Sequence, residues 1–345
     1  MRALLALLLA GSASADSPLF DGSAAARALA KPEPVESAAG APAESEPNVI
    51  LITWDGVRRE EFFVNRPDRR LEKSDTAELF PKFWGARRSE GTVWGDPNGG
   101  SGFGISNIGV LSLPAYQSIM AGSAQRCVNN NCGRIKSSTF PERLVKELGL
   151  PREKVAVVAS WPGIALAVEK KEGAIYVDAG KGGKTRNDFE TWPIALSYLK
   201  EKRPRFFYIS LNDSDDFGHA GDYPSYLRML RAYDGWLDEL FTTLDQMGAY
   251  GKNTTVLLTT DHGRGHGQDW KNHNPLRPMA ARIFLFARGP RVKKGAQGSG
   301  VRSHADIRPT VEKLLGLKPR SCLLCGDPLS EALSAPKASS PAPGS

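Results

Sequence analysis

The stretch Thr255-Val256-Leu257-Leu258-Thr259-Thr260-Asp261-His262-Gly263-Arg264-Gly265 restricts the possible folds more than any other. Its β-branched and aliphatic residues show no polar alternation, so both faces of the strand are expected to be buried, as in the centre of a parallel sheet. The run stops at an acid and an imidazole, which places both at the carboxyl end of the strand. Open α/β sheets bind ligands at that edge. Taken alone, the pair also suits a turn in which Asp261 caps a following helix.

Two further strands end in the same way. Asn48-Val49-Ile50-Leu51-Ile52-Thr53-Trp54 runs into Asp55-Gly56, and Phe206-Phe207-Tyr208-Ile209-Ser210-Leu211 runs into a segment holding Asp213, Asp215, Asp216, Gly218 and His219. Asp215 and His219 are four apart, so a helical segment presents both on one face. In Leu111 to Gly122, Pro114 suits a first helical turn and Gly122 the end. Ser112 then lies at a helix N-terminus, either as an ordinary N-cap or beside a bound anion. Helical signals at Phe140 to Leu148, Trp192 to Lys200, Tyr223 to Met247 and Ile307 to Leu315 alternate with strand signals at Lys154 to Ala159 and Ala281 to Ala287. The expected fold class is α/β, a mostly parallel central sheet with helices on both faces.

The ends of the chain read differently. Met1-Arg2, the apolar run Ala3 to Ala10 and Ala13-Ser14-Ala15 form an expected export signal over residues 1–15. That run is too short to span a bilayer, and no cysteine follows it, so neither a transmembrane nor a lipid anchor is expected. Residues 16–47 are an expected flexible linker, 48–328 one large α/β enzyme-sized domain and 329–345 a disordered tail. A net charge of +7 with scattered Lys and Arg gives no nucleic acid-binding motif, only a weak attraction for anionic substrates. Cys127/Cys132 and Cys322/Cys325 are close pairs, read as local disulfides of an exported chain; a four-thiolate zinc knot is the alternative. The glycine-rich stretch from Glu90 to Gly109 lacks P-loop spacing and reads as a flexible approach to Ser112. Oligomeric state is left open.

All five histidines lie between 219 and 304, four of them in or just after strand-end segments that carry acids. Asp and His are the ligands of hydrolytic zinc pairs, and two cations suit displacement at phosphorus or sulfur. In order, an Asp after the first strand, a Ser before Pro, Asp-x-x-x-His and Asp-His-Gly resemble the alkaline phosphatase superfamily across roughly residues 47 to 318. That superfamily includes nucleotide pyrophosphatases/phosphodiesterases, cofactor-independent phosphoglycerate mutases and sulfatases. The resemblance implies that Asp55, Ser112, Asp261 and His262 hold one divalent metal ion, with Ser112 the nucleophile. Asp215 and His219 would hold a second, completed by His273, His304 or His266. His273 is favoured because Trp270-x-x-His273 is similar to an element of family members. Zinc is the expected metal, with Mn2+ as the alternative, and Arg264 or the glycine-rich stretch is a candidate for holding the substrate anion.

The expected activity is an exported, periplasmic or secreted hydrolase of small anionic phosphoesters that passes through a phosphoserine. A phosphotransferase, a phosphodiesterase, a sulfatase-like enzyme and a non-catalytic metal-bearing protein are the alternatives. Tyr116 stands where sulfatases carry Arg, which argues against that branch, and Ala115 replaces the Asn that the phosphodiesterase branch favours.

Overall fold

The computed structural model describes residues 46–66, 71, 75 and 77–334. The expected export signal, nearly all of the linker and residues 335–345 of the tail lie outside them. The strands are β1 (Asn48–Trp54), β2 (Gly91–Trp94), β3 (Gly102–Gly104), β4 (Val155–Ala159), β5 (Tyr176–Ala179), β6 (Phe206–Leu211), β7 (Thr254–Thr259), β8 (Leu285–Arg288), β9 (Ala296–Gln297) and β10 (Val301–Ser303). The helices are α1 (Arg59–Val64), α2 (Pro81–Gly85), α3 (Ser112–Ala121), α4 (Phe140–Leu148), α5 (Ala165–Val168), α6 (Asp188–Lys202), α7 (Asp213–Ala220), α8 (Tyr223–Gln246), α9 (Ala249–Lys252) and α10 (Ile307–Leu314).

Eight strands form one sheet in the order β5-β4-β6-β1-β7-β8-β2-β9. The five from β5 to β7 are mutually parallel, whereas β8 runs antiparallel to both β7 and β2. The uninterrupted apolar runs follow from burial on both faces. Along β1, Ile50, Ile52 and Trp54 pack into a core with Tyr226, Leu230, Tyr233 and Leu237 of α8. Val49 and Leu51 face the opposite core, with Leu113, Ile119 and Met120 of α3 and Ile307 and Val311 of α10. The Trp54 ring, one residue before Asp55, stacks on Phe80 at 5.7 Å and on Tyr233 at 5.2 Å. The end of β1 is therefore held in a rigid aromatic layer.

Three expectations are corrected. The strand expected from Ala281 starts only at Leu285, because Pro278–Ala281 is a 3-10 turn and residues 282 and 283 bond to the β3 edge. The helix expected from Trp192 starts at Asp188, capped by the Asn187 side chain on Glu190 N. The glycine-rich stretch is not simply a flexible approach: its Gly102–Gly104 segment pairs in parallel with β10. The two cysteine pairs lie within disulfide distance, with Cα separations of 5.3 and 5.0 Å, leaving no free thiol for a zinc knot.

Asp188 went unread in the sequence although it ties α6 to the turn after β6. Its carboxylate accepts from Asn212 N at 2.8 Å, Asp213 N at 2.9 Å, the Tyr233 hydroxyl at 2.6 Å and Ser160, and Asp213 Oδ2 accepts in return from Asp188 N at 3.0 Å. Replacing it by Ala strands several buried donors at once. Asp188→Ala is expected to lower unfolding stability by about 3 kcal/mol in urea; a shift below about 0.5 kcal/mol would show that the network carries nothing.

Candidate metal centre

β6, β1 and β7 are neighbours in register, Trp54 beside Leu211 and Thr53 beside Thr259. Residues far apart in sequence therefore leave the sheet at one point. Asp55 follows β1, Asp261 and His262 follow β7, and α7 after β6 carries Asp215 and His219.

The first group centres on His262. Its Nδ1 is 3.0 Å from the Gly263 carbonyl, an oxygen that can only accept, so Nδ1 carries the proton and Nε2 presents a lone pair. Around that lone pair stand Asp261 Oδ2 at 3.2 Å, Ser112 Oγ at 3.3 Å and Asp55 Oδ1 at 3.6 Å. Each carboxylate spends its other oxygen on a protein donor. Asp261 Oδ1 accepts from Gly56 N at 3.0 Å, and Asp55 Oδ2 accepts from the Tyr116 hydroxyl at 2.9 Å. Asp55 Oδ1 and Asp261 Oδ2 are buried without a hydrogen-bond partner. Two buried carboxylate oxygens without a donor and an imidazole lone pair face one another, a donor set that could hold a cation.

A second group adjoins it. His273 Nδ1 lies 2.8 Å from the Val110 carbonyl, which again leaves Nε2 as the free lone pair. That Nε2 is 2.9 Å from His219 Nε2 and 3.7 Å from Asp215 Oδ1, and His219 Nε2 is 3.1 Å from Asp215 Oδ2. The His262 and His273 rings stack with centroids 3.6 Å apart. Ligand atoms of Asp55, Asp261 and His262 lie within 4.8 Å of one another, and so do those of Asp215, His262 and His273. His262 thus borders both groups, while His219, half-exposed, closes the second from the solvent side.

Charge in this pocket is unbalanced. Burial, then the neighbouring Asp261 and Asp215, pushes the Asp55 carboxyl well above its ordinary range. Burial and Asp215 push Asp261 up to about 7. Burial raises Asp215 too, but Arg264 and the histidines outweigh it and hold that carboxyl well below the usual value. Burial and the neighbouring His273 hold His262 well below, keeping it neutral.

The remaining expected residues fall as follows. Ser112 is the first residue of α3 and caps nothing; Asn130 Oδ1 instead accepts from Leu113 N at 3.0 Å, which leaves the Ser112 hydroxyl for His262. His304 stands outside both groups, its Nε2 donating to the Thr260 carbonyl at 2.9 Å, and His266 is exposed. Arg264 is no anion clamp open to substrate. Its buried guanidinium lies 2.9 Å from Asp215 Oδ1 and donates to the Asp215 carbonyl at 2.9 Å. Glycine is required twice for this packing. A Cβ on Gly218 would stand 2.3 Å from the Arg264 guanidinium, and one on Gly56, at φ +67°, would stand 2.4 Å from Asp215 Oδ1.

Two supports were missed in the sequence. Tyr116 fixes Asp55, and its spacing four residues after Ser112 was the available signal. Arg58 pairs with Glu61, Tyr223 donates to Glu61 Oε1 at 2.9 Å, and Arg58 donates to the Gly265 carbonyl at 3.0 Å, pinning the loop beyond His262. Arg58 and Glu61, three apart directly after Asp55-Gly56-Val57, were the clue there.

Known proteins share this frame. A family profile described as Metalloenzyme superfamily matches residues 58–319. Phosphopentomutase of Desulfitobacterium hafniense (strain DSM 10664 / DCB-2) is 28% identical over 123 residues, 35% of this chain and 29% of the relative. The chain therefore matches less than a third of that relative's length. Among solved structures, the lipoteichoic acid synthase LtaP from Listeria monocytogenes superposes with a TM-score of 0.59 at 17% identity, covering 84% of this chain and 76% of the other. Murine ectonucleotide pyrophosphatase/phosphodiesterase 5, in complex with AMP, gives 0.60 at 13% identity, covering 84% and 100%. These two likenesses establish the fold. With the profile spanning most of the sequence and the carboxylate–imidazole clusters in place, the chain belongs to the Metalloenzyme superfamily, the alkaline phosphatase-like group whose members use divalent metal ions.

Proposed function

We propose that the protein is an exported two-metal phosphoester hydrolase in which Ser112 is the nucleophile. The observation that carries this reading is the Ser112 hydroxyl at the N-terminus of α3, 3.3 Å from a neutral His262 Nε2 and flanked by the orphaned oxygens of Asp55 and Asp261. When bound, a pair of divalent cations would neutralise the three carboxylates, lower the pKa of the hydroxyl and offset charge on the phosphoryl oxygens. Asp55, Asp261, His262 and Ser112 would hold one ion; Asp215, His219 and His273 would hold the other. Mixed imidazole and carboxylate donors suit zinc, with manganese next.

The chain's own contribution is positioning and proton control. Tyr116 and Gly56 aim the two carboxylates, and the Gly263 and Val110 carbonyls fix the tautomers of His262 and His273. The first turn of α3 directs its dipole at the reacting phosphoryl group. Ser112 Oγ gives up its proton and bonds to phosphorus as the ester oxygen leaves with its electron pair and takes up a proton. Water then attacks the phosphoserine, its oxygen bonding to phosphorus and one of its protons passing to Ser112 Oγ as phosphate is released. In a second reading the acceptor is an alcohol rather than water, favoured by the resemblance to phosphopentomutase. Export is supported by the two cysteine pairs at disulfide distance, which suit an oxidising compartment.

Ser112→Ala should retain metal while turnover of aryl phosphates falls by about a thousandfold or more. Near-normal turnover in that variant would remove the covalent step. Product analysis with and without an added alcohol separates the two readings, since a hydrolase turns over to phosphate in water alone, whereas a transferase needs the alcohol and gives the new ester in place of phosphate. Elemental analysis of folded His273→Ala and His304→Ala proteins distinguishes ligand from brace. The first should lose about one metal per chain, and the second should keep its full content while losing about 1–3 kcal/mol of stability. Two metals retained in His273→Ala would displace His273 from the ligand set.

A further inference from the structure

Away from the metal centre, the two cysteine loops meet along one cleft of about 710 Å³ beside Gln117 of α3. Leu323 and Leu324 form its lip. They are the two residues enclosed by Cys322 and Cys325, and they are 98% and 71% exposed. Exposed side chains of this size are common singly, but two adjacent leucines on the apex of a four-residue closed loop are not. Val128 of the Cys127–Cys132 loop is also 55% exposed, although it does not line the cleft. The charged residues lining the cleft are Arg126, Arg134 and Lys136, with no acid among them. Arg134 is engaged by Glu172 and Glu169. Arg126 and Lys136 are exposed and pair with no acid among the described residues.

We propose that this face docks the protein onto an anionic lipid bilayer, with Leu323 and Leu324 entering the acyl boundary and Arg126 and Lys136 meeting headgroup phosphates in the cleft. The geometry favours lipid over a protein partner. Two exposed leucines alone bury far less than the ~800 Å² per partner that a stable protein interface needs, whereas a bilayer takes up such side chains without complementary shape. Closure by the cysteine pair holds the leucines in place beforehand, so insertion orders little that is not already ordered. The unpaired cations add attraction to a negative surface, which salt screens.

The test is cosedimentation of the full chain with vesicles of phosphatidylcholine alone and of phosphatidylcholine containing about one-third phosphatidylglycerol. Binding should be confined to the anionic vesicles. It should weaken about tenfold or more in the Leu323→Ser/Leu324→Ser double variant, and similarly in Arg126→Gln/Lys136→Gln, with thermal stability and turnover unchanged. Every variant keeps residues 1–15, so binding through that apolar segment is common to parent, variants and both vesicle types, and only the excess on anionic vesicles is scored. The proposal is overturned if both double variants bind like the parent, or if the parent binds neutral vesicles equally well or neither kind. It is also overturned if sedimentation velocity shows a dimer that the leucine variant dissolves, since a second copy would then cover the face.

Discussion

Three carboxylates converge where three neighbouring parallel strands end, and most of the surrounding structure manages that charge. Asp55, Asp215 and Asp261 reach one buried point because β6, β1 and β7 are adjacent and in register. Burying anions at such proximity is expensive unless cations or donors meet them. Asp55 Oδ1 and Asp261 Oδ2 have no donor, while the imidazoles beside them turn lone pairs inward. The arrangement is a vessel for positive charge.

The second layer makes the convergence possible. Arg264 holds Asp215 ionised and crosses α7 only because residue 218 is glycine. Gly56 supplies an amide to Asp261 and, lacking a side chain, lets Asp215 approach β1. Asp188 fixes the turn that launches α7, and Arg58 with Glu61 fixes the loop after His262. Substitutions at these residues would misplace candidate ligands they never touch, and small displacements suffice to weaken such a cluster's hold on an ion.

Much of this was legible in the sequence, for physical reasons. Central parallel strands advertise themselves as apolar runs, and the polar residues that end them mark the sheet edge where chemistry occurs. Asp55, Asp215, Asp261 and His262 stood out on that ground. The short strands β2, β5 and β9, the last two at the sheet edges, carry too few residues to show a period, so they were not legible. The roles of Arg264 and His304 depended on tertiary packing. Arg264 looked like an anion clamp until its guanidinium proved to be buried against Asp215, and His304 is spent on the Thr260 carbonyl. Tyr116 read only as a missing arginine, although its hydroxyl fixes Asp55.

Dependence of this acidic cluster on bound cations is read most directly by thermal unfolding of metal-stripped and metal-loaded protein from about pH 7 to 9. Asp261, pushed up to about 7, and Asp55, raised by burial, bind protons more tightly folded than unfolded. Their contribution to the stripped protein is present below the ordinary carboxylate pKa and is lost as pH rises through the folded values. His262 and His273, shifted downward, are neutral in both states across most of this window and add little slope. Asp213, also pushed up to about 7 but outside the cluster, affects both samples alike. The stripped protein should therefore lose Tm as pH rises, and the gap to the zinc-loaded protein should widen. A gap that is absent, or constant across the range, would show that the cluster does not depend on bound cations.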